Sequence, residues 1–140
     1  LTLLISIYSV NQYSQQFKFQ HYSVEEGLPQ SQVYAMIQDS RGLLWLGTKG
    51  GGLSKFNGKE FTTFTKEEGL SGDKIYSLFE DSKHNIWIGT GDGITHYNGI
   101  TFAKHPISKK YDIVVSAIAE DKNKTIWAAT NAGLYYYENN

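Results

Sequence analysis

Apolar residues recur along this chain in short runs broken by Gly, Asn, Asp and Ser, and no run sustains a 3.6-residue period. Such a pattern disfavours helix and predicts strands joined by tight turns. The first set is VYAMIQD (33–39), LLWLGT (43–48), LSKFN (53–57) and KEFTTF (59–64), with Asn57-Gly58 reading as a two-residue hairpin turn. The runs IYSLFED, IWIGT, ITHYN and ITFAKH repeat that order, with Asn98-Gly99 at the last turn. Leu53 and Phe56 point to opposite faces of one strand, as do Ile94 and Tyr97, yet all four are apolar. The expectation is a set of small sheets covered on both faces, not a two-layer sandwich with one polar side.

The runs belong to an internal repeat. Trp45, Trp87 and Trp127 stand 42 and 40 residues apart. Asp39, Asp81 and Asp121 lie six residues before each Trp, and Thr48, Thr90 and Thr130 three after it. Gly52, Gly93 and Gly133 follow, the first delayed by one inserted residue, and EEGL recurs at 25–28 and 67–70. Four antiparallel strands per unit of roughly 40 residues predict an all-β fold of β-propeller blades. Each Trp is expected to fill the space between blades, and Gly47 and Gly89 to permit close backbone approach; Ala129 is the bulkier third version.

Composition narrows the classes. The chain has 140 residues, a formal charge of −1, ten Tyr, seven Phe, three Trp and no Cys. Near-neutral charge with scattered Lys and Arg gives no stripe for nucleic acid. Without Cys there is no thiolate catalysis, disulfide or Cys-based zinc site. The opening LTLLISIYSV is too short to span a membrane and reads, over residues 1–16, as the remnant of a secretory signal peptide.

The most reactive-looking stretch, EDSKHNIWIGTGDG (80–93), carries no enzyme or ion motif. Gly89-Thr-Gly91-Asp-Gly93 precedes a strand, not a helix, so no helix N-terminus is available for phosphate. A calcium loop starting at Asp81 would place Lys83 where an oxygen ligand is required. Asp39, Asp81 and Asp121 are instead expected to accept backbone N–H bonds within their turns. His21, His84, His96 and His105 fall at unrelated repeat positions, and Glu25-Glu26 and Glu67-Glu68 are connector residues. No catalytic residue, metal or cofactor is expected.

QDSRGLLWLGT with GLSKFNG, and EDSKHNIWIGT with GITHYNG, resemble the two-component regulator propeller repeat, over about residues 17–137. The third unit departs most, with Trp-Ala-Ala-Thr, and Gly42 becomes His84 and Lys124 in the later units. The resemblance implies the exported sensory region of a hybrid histidine kinase-like receptor. Such a region lies on the periplasmic side and is anchored through downstream segments. Known ligands of that class are mainly glycan fragments, so an oligosaccharide and a receptor dimer are the implied partners. A propeller-borne carbohydrate-active enzyme and a protein-interaction scaffold are the alternatives.

Propellers close with roughly 4 to 8 blades, so three units imply further blades as partners. Repeats are expected at about 23–64, 65–105 and 106–140 within a fragment spanning 17–140. The segment FKFQHY (17–22) aligns with the outermost strands, while the last unit stops without one. The chain thus reads as the start of a longer propeller, cut near Asn140. A ligand would meet the face formed by the connectors and the second-to-third-strand turns. Candidates are Gln30, Ser31, Lys49, Asp73, Asp92 and Asn131, with Tyr135 and Tyr136 able to stack on a sugar.

Overall fold

The computed structural model describes residues 18–107 and 113–137, so the proposed signal segment lies outside the described residues. Three antiparallel sheets follow one another along the chain. The first contains β1 (Val33–Gln38), β2 (Leu44–Thr48), β3 (Leu53–Phe56) and β4 (Phe61–Phe64). The second contains β5 (Ile75–Glu80), β6 (Ile86–Thr90), β7 (Ile94–Tyr97) and β8 (Phe102–His105). The third has three strands, β9 (Val115–Glu120), β10 (Ile126–Thr130) and β11 (Gly133–Tyr137). Each sheet is a meander, and β1, β5 and β9 are the strands that meet between successive sheets. These are three propeller blades, with β1, β5 and β9 innermost.

One side chain decides where the first strand of each blade ends. Asp39 Oδ1 accepts from the backbone N–H of Arg41 (3.0 Å) and Leu43 (2.9 Å), and Oδ2 accepts from Trp45 Nε1 (2.9 Å). Asp81 repeats this with Lys83, Asn85 and Trp87, and Asp121 with Asn123, Thr125 and Trp127. Thus Asp39 belongs to a turn, not to the strand in which the sequence pattern places it. Burial pushes the Asp39 and Asp81 carboxyls up, but the indole and turn donors together hold both below the usual aspartate value.

At the other end of the same hairpin, the repeat Thr closes the next turn. Thr48, Thr90 and Thr130 donate through Oγ1 to the carbonyls of Gly52, Gly93 and Gly133 at 2.7–2.9 Å. The outer hairpin differs from expectation. Phe56 pairs with Phe61 and Tyr97 with Phe102, so each loop has four residues, not two. Asn57 Oδ1 accepts from both Lys59 and Glu60 N–H, which holds those residues out of β4. Asn98 does the same for Ile100 and Thr101.

Blades are joined through buried apolar clusters. Trp45, Leu53 and Leu70 pack with Ile75, Ile86 and Ile88 of the second blade. Trp87 and Ile94 pack with Val115, Ile118, Ile126 and Ala128 of the third. The approach is close because Gly47 and Gly89 lack side chains. A Cβ on Gly47 would stand 2.8 Å from Ile75 Cβ, and one on Gly89 2.8 Å from both Val115 Cγ1 and its carbonyl oxygen. A carboxylate clasp adds polarity at the rim. Glu80 accepts from Ser40 N–H (2.8 Å) and Oγ (2.7 Å), and Glu120 from Ser82 N–H (2.9 Å) and Oγ (2.8 Å).

Two histidines flank Trp87 of the second inter-blade cluster. The rings of His96 on β7 and His105 on β8 stack beside Trp87 at 4.8 and 5.6 Å, and Tyr137 of the third blade lies 4.8 Å from His105. Both Nε2 atoms are buried without a hydrogen-bond partner. Burial lowers the pKa of each; Asp81 partly offsets this at His96, and His96 reinforces it at His105.

Gly89→Ala should destabilise the chain by about 1–3 kcal/mol in urea unfolding, because Ser77 and the Val115 backbone must shift. The histidines bind protons more tightly when unfolded, so their stabilisation is present above about pH 6.5 and lost as pH falls through the lowered folded values. His105→Phe, copying Phe64 of the first blade, should therefore flatten the fall in stability between about pH 7 and 5. An unchanged pH profile in that variant would show that the histidine pair does not set it.

Candidate functional site

The connectors that lead into each blade carry a repeated short element. Ser23 accepts from Glu25 N–H, while Glu26 accepts from Ser23 N–H and Oγ at 2.6 and 2.7 Å. Thr65 and Glu68 reproduce that reciprocal cap. Gly27 and Gly69 then take φ of +102° and +115°, turning the chain so that Leu28 and Leu70 are buried. The cap fixes where Lys66 and the following residues emerge.

Between the first and second blades lies a cavity of about 510 Å³. It is lined by Gly50 of the β2–β3 turn; Lys66, Asp73 and Lys74 of the connector; Tyr76 of β5; Gly91 and Asp92 of the β6–β7 turn; and Val114 before β9. Lys66 Nζ pairs with Asp92 Oδ2 at 2.8 Å, and Lys66 N–H donates to Asp73 Oδ1 at 2.8 Å. The hydrogen bond and charge of Asp92, with the charge of Asp73, raise the Lys66 pKa. The Asp73 carbonyl accepts from Gly50 and Gly52 N–H, tying the connector to the preceding blade. Tyr76 stacks on Tyr34 of β1 at 5.9 Å. The wall thus combines an aromatic ring, two lysines and two carboxylates, a set able to stack on a sugar ring and bond its hydroxyls.

Of the residues expected from sequence to face a ligand, Asp73 and Asp92 line this cavity. Lys49 sits beside it and bridges through its backbone to Lys74. Gln30 and Ser31 lie in the connector before β1, and Gln30 Oε1 accepts from the Gln32 N–H. Asn131, in the β10–β11 turn, accepts through Oδ1 from Val114 N–H at 3.0 Å. Tyr135 packs against the second core cluster, whereas Tyr136 is exposed and 5.4 Å from Trp127. Lys66, Lys74 and Tyr76 were not among the expected residues. Tyr34 and Tyr76 hold one repeat position, which is the signal that would have found the stacked pair. Lys66 had none, because the matching residue of the first connector is Val24.

His84, which resembles a reactive group in sequence, holds a turn. It takes φ of +65° where Gly42 takes +85°, and its Nδ1 meets Ser40 Oγ at 2.9 Å beside the clasp. Among the described residues, no three His, Cys, Asp or Glu side chains are grouped to hold a metal ion. Nor is any helix among them long and apolar enough to cross a membrane.

Comparison with known proteins gives consistent matches. The sequence model of the two component regulator propeller matches residues 27–50, 69–92 and 111–132, together half the chain. The chain is 29% identical, at a TM-score of 0.74 over 85% of its length, to the extracellular domain of the hybrid two component system BT3049 from B. thetaiotaomicron. It is 28% identical, at 0.65 over 76%, to the corresponding domain of BT4673 from the same organism. It spans 17% and 15% of those two chains. A virginiamycin B lyase from Staphylococcus aureus, 17% identical at a TM-score of 0.58 over 77% of this chain and 41% of the lyase, shares the fold alone. A search of curated proteins gives no significant match. With three blades in series and its repeats matched one by one, the chain belongs to the two-component regulator propeller family.

Proposed function

We propose that this chain forms part of the ligand-sensing propeller of an exported two-component receptor, and that the cavity between its first two blades takes an oligosaccharide. The observation that carries this reading is the Lys66–Asp92 pair beside the Tyr34–Tyr76 stack. Lys66 belongs to the connector and Asp92 to a turn of the second blade, so a sugar hydroxyl that replaces either partner changes what joins the two. Burial of a charged group is not required, since both side chains are half exposed and solvated when empty. The ion pair itself contributes little stability, which leaves it free to exchange partners.

The matched extracellular domains of hybrid two component systems support a sensor role for such propellers. On this reading the chain works on the periplasmic side, with further blades and a membrane anchor supplied by the receptor of which it is a piece. The receptor acts as a dimer whose arrangement the bound ligand biases, and the propeller itself performs no chemistry.

Calorimetry against a panel of oligosaccharides tests the proposal. At least one glycan should bind, and Tyr76→Ala and Asp92→Ala should each weaken it by roughly tenfold or more, as expected for loss of a stacking or charged contact. Binding unchanged in both variants would remove the cavity from the site. Turnover of the glycan would replace the sensor with the enzyme alternative.

A further inference from the structure

Where the first blade meets the second, the chain sets two lysines opposite one another. Lys49, the residue after β2, forms an antiparallel bridge with Lys74, the residue before β5. Gly50 N–H donates to the Asp73 carbonyl at 3.1 Å, so the hydrogen bonding of this bridge flanks the two lysines and does not join them. In a pair of that kind the Cα atoms stand about 4.5 Å apart and the side chains leave the same face close together. Like charges placed directly opposite in this way repel and are destabilising.

The fold asks for neither lysine. Lys49, Gly91 and Asn131 hold one repeat position, directly after the repeat Thr, and each donates its N–H to a carbonyl at the entry of its own blade. Those carbonyls belong to Gln32, Lys74 and Val114, which hold the second position. Of these six residues only the two that face each other across the first junction are lysine. Both are exposed, and among the described residues neither ammonium is paired with a carboxylate. The acids of the nearby cavity wall are engaged by Lys66, Asp92 through its Nζ at 2.8 Å and Asp73 through its N–H at 2.8 Å. Three lysines thus stand against two carboxylates, with the surplus positive charge at the bridge.

Lys74 lines the cavity between the blades together with Tyr76, whose ring stacks on Tyr34. We propose that the oligosaccharide taken by this cavity is acidic, with a carboxylate or sulfate group held between Lys49 and Lys74. The inference rests on the sugar-binding reading above and names the class of sugar. An anion shared by both ammonium groups removes their repulsion and gains two charge-assisted hydrogen bonds. Because Lys49 belongs to the first blade and Lys74 to the second, the same anion ties the two blades together. A neutral glycan leaves the repulsion in place, so the cost carried by the empty site becomes a source of selectivity.

Calorimetry on the full-length protein tests this with uronic-acid and sulfated oligosaccharides, each compared with its methyl-esterified or desulfated form, which keeps the rings and loses the charge. At least one acidic sugar should bind about tenfold or more tighter than its uncharged form, and added salt should shrink that margin. Lys49→Gln and Lys74→Gln should each cut the preference by about threefold, and the double variant should abolish it. Equal binding of acidic and uncharged forms, or a preference that ignores both substitutions, would overturn the acidic-sugar proposal and leave an oligosaccharide in the cavity. Inorganic sulfate binding as tightly as the sulfated sugar would also overturn it, since the lysines would then hold an anion without reading a sugar. Binding of no sugar, charged or uncharged, would remove both this proposal and the reading beneath it.

Discussion

Everything in this fold hangs on a hydrogen bond between a carboxylate and an indole six residues further on. Asp39, Asp81 and Asp121 each accept from the Trp Nε1 of their own blade at 2.8–2.9 Å. Their other oxygen accepts the two backbone donors that a tight turn leaves unpaired. A buried donor or acceptor without a partner costs about 1–3 kcal/mol, so the Trp can enter the inter-blade core only with its N–H satisfied. The Asp meets that need and ends the strand in the same act. Turn, strand length and core position are therefore one decision, taken three times.

That decision places the rest. With the indole fixed, each blade presents a flat apolar face, and Gly47 or Gly89 admits the β-branched residue of the next innermost strand. The rim clasps, Ser40 with Glu80 and Ser82 with Glu120, then hold adjacent blades at one offset. On the opposite rim, connectors and β2–β3-type turns are brought together, anchored by buried Leu70 and by the Asp73 carbonyl that accepts from Gly50 and Gly52. Lys66, Asp73 and Asp92 are set against Tyr76 there by elements whose sequences are constrained for other reasons. The scaffold repeats; the charged residues of the cavity wall do not.

The same asymmetry explains what could be read from sequence. Trp, Asp, Thr and Gly recur at fixed spacing because each has one geometric task per blade, and the four-strand meander follows from them. The hairpin loops were misread as two residues, since Asn-Gly also begins a four-residue loop when the Asn side chain holds the next two amides. The clasp escaped notice because only two of three repeats keep each partner: Gln38 stands for Glu, and Lys122 for Ser. Asp73 and Asp92 were reachable from topology, but Lys66 was not, since nothing periodic marks it. His96 and His105 look unrelated in sequence and meet only because adjacent strands pair.

The most direct measurement is a double-mutant cycle on Asp81 and Trp87 by urea unfolding. Asp81→Ala and Trp87→Phe should each be strongly destabilising, yet the pair together should cost less than their sum by at least about 1 kcal/mol. Once the indole N–H is gone, the carboxylate has lost the partner that links turn to core. Additivity within about 0.5 kcal/mol would mean that turn and core are stabilised separately, and would contradict the central role of this bond.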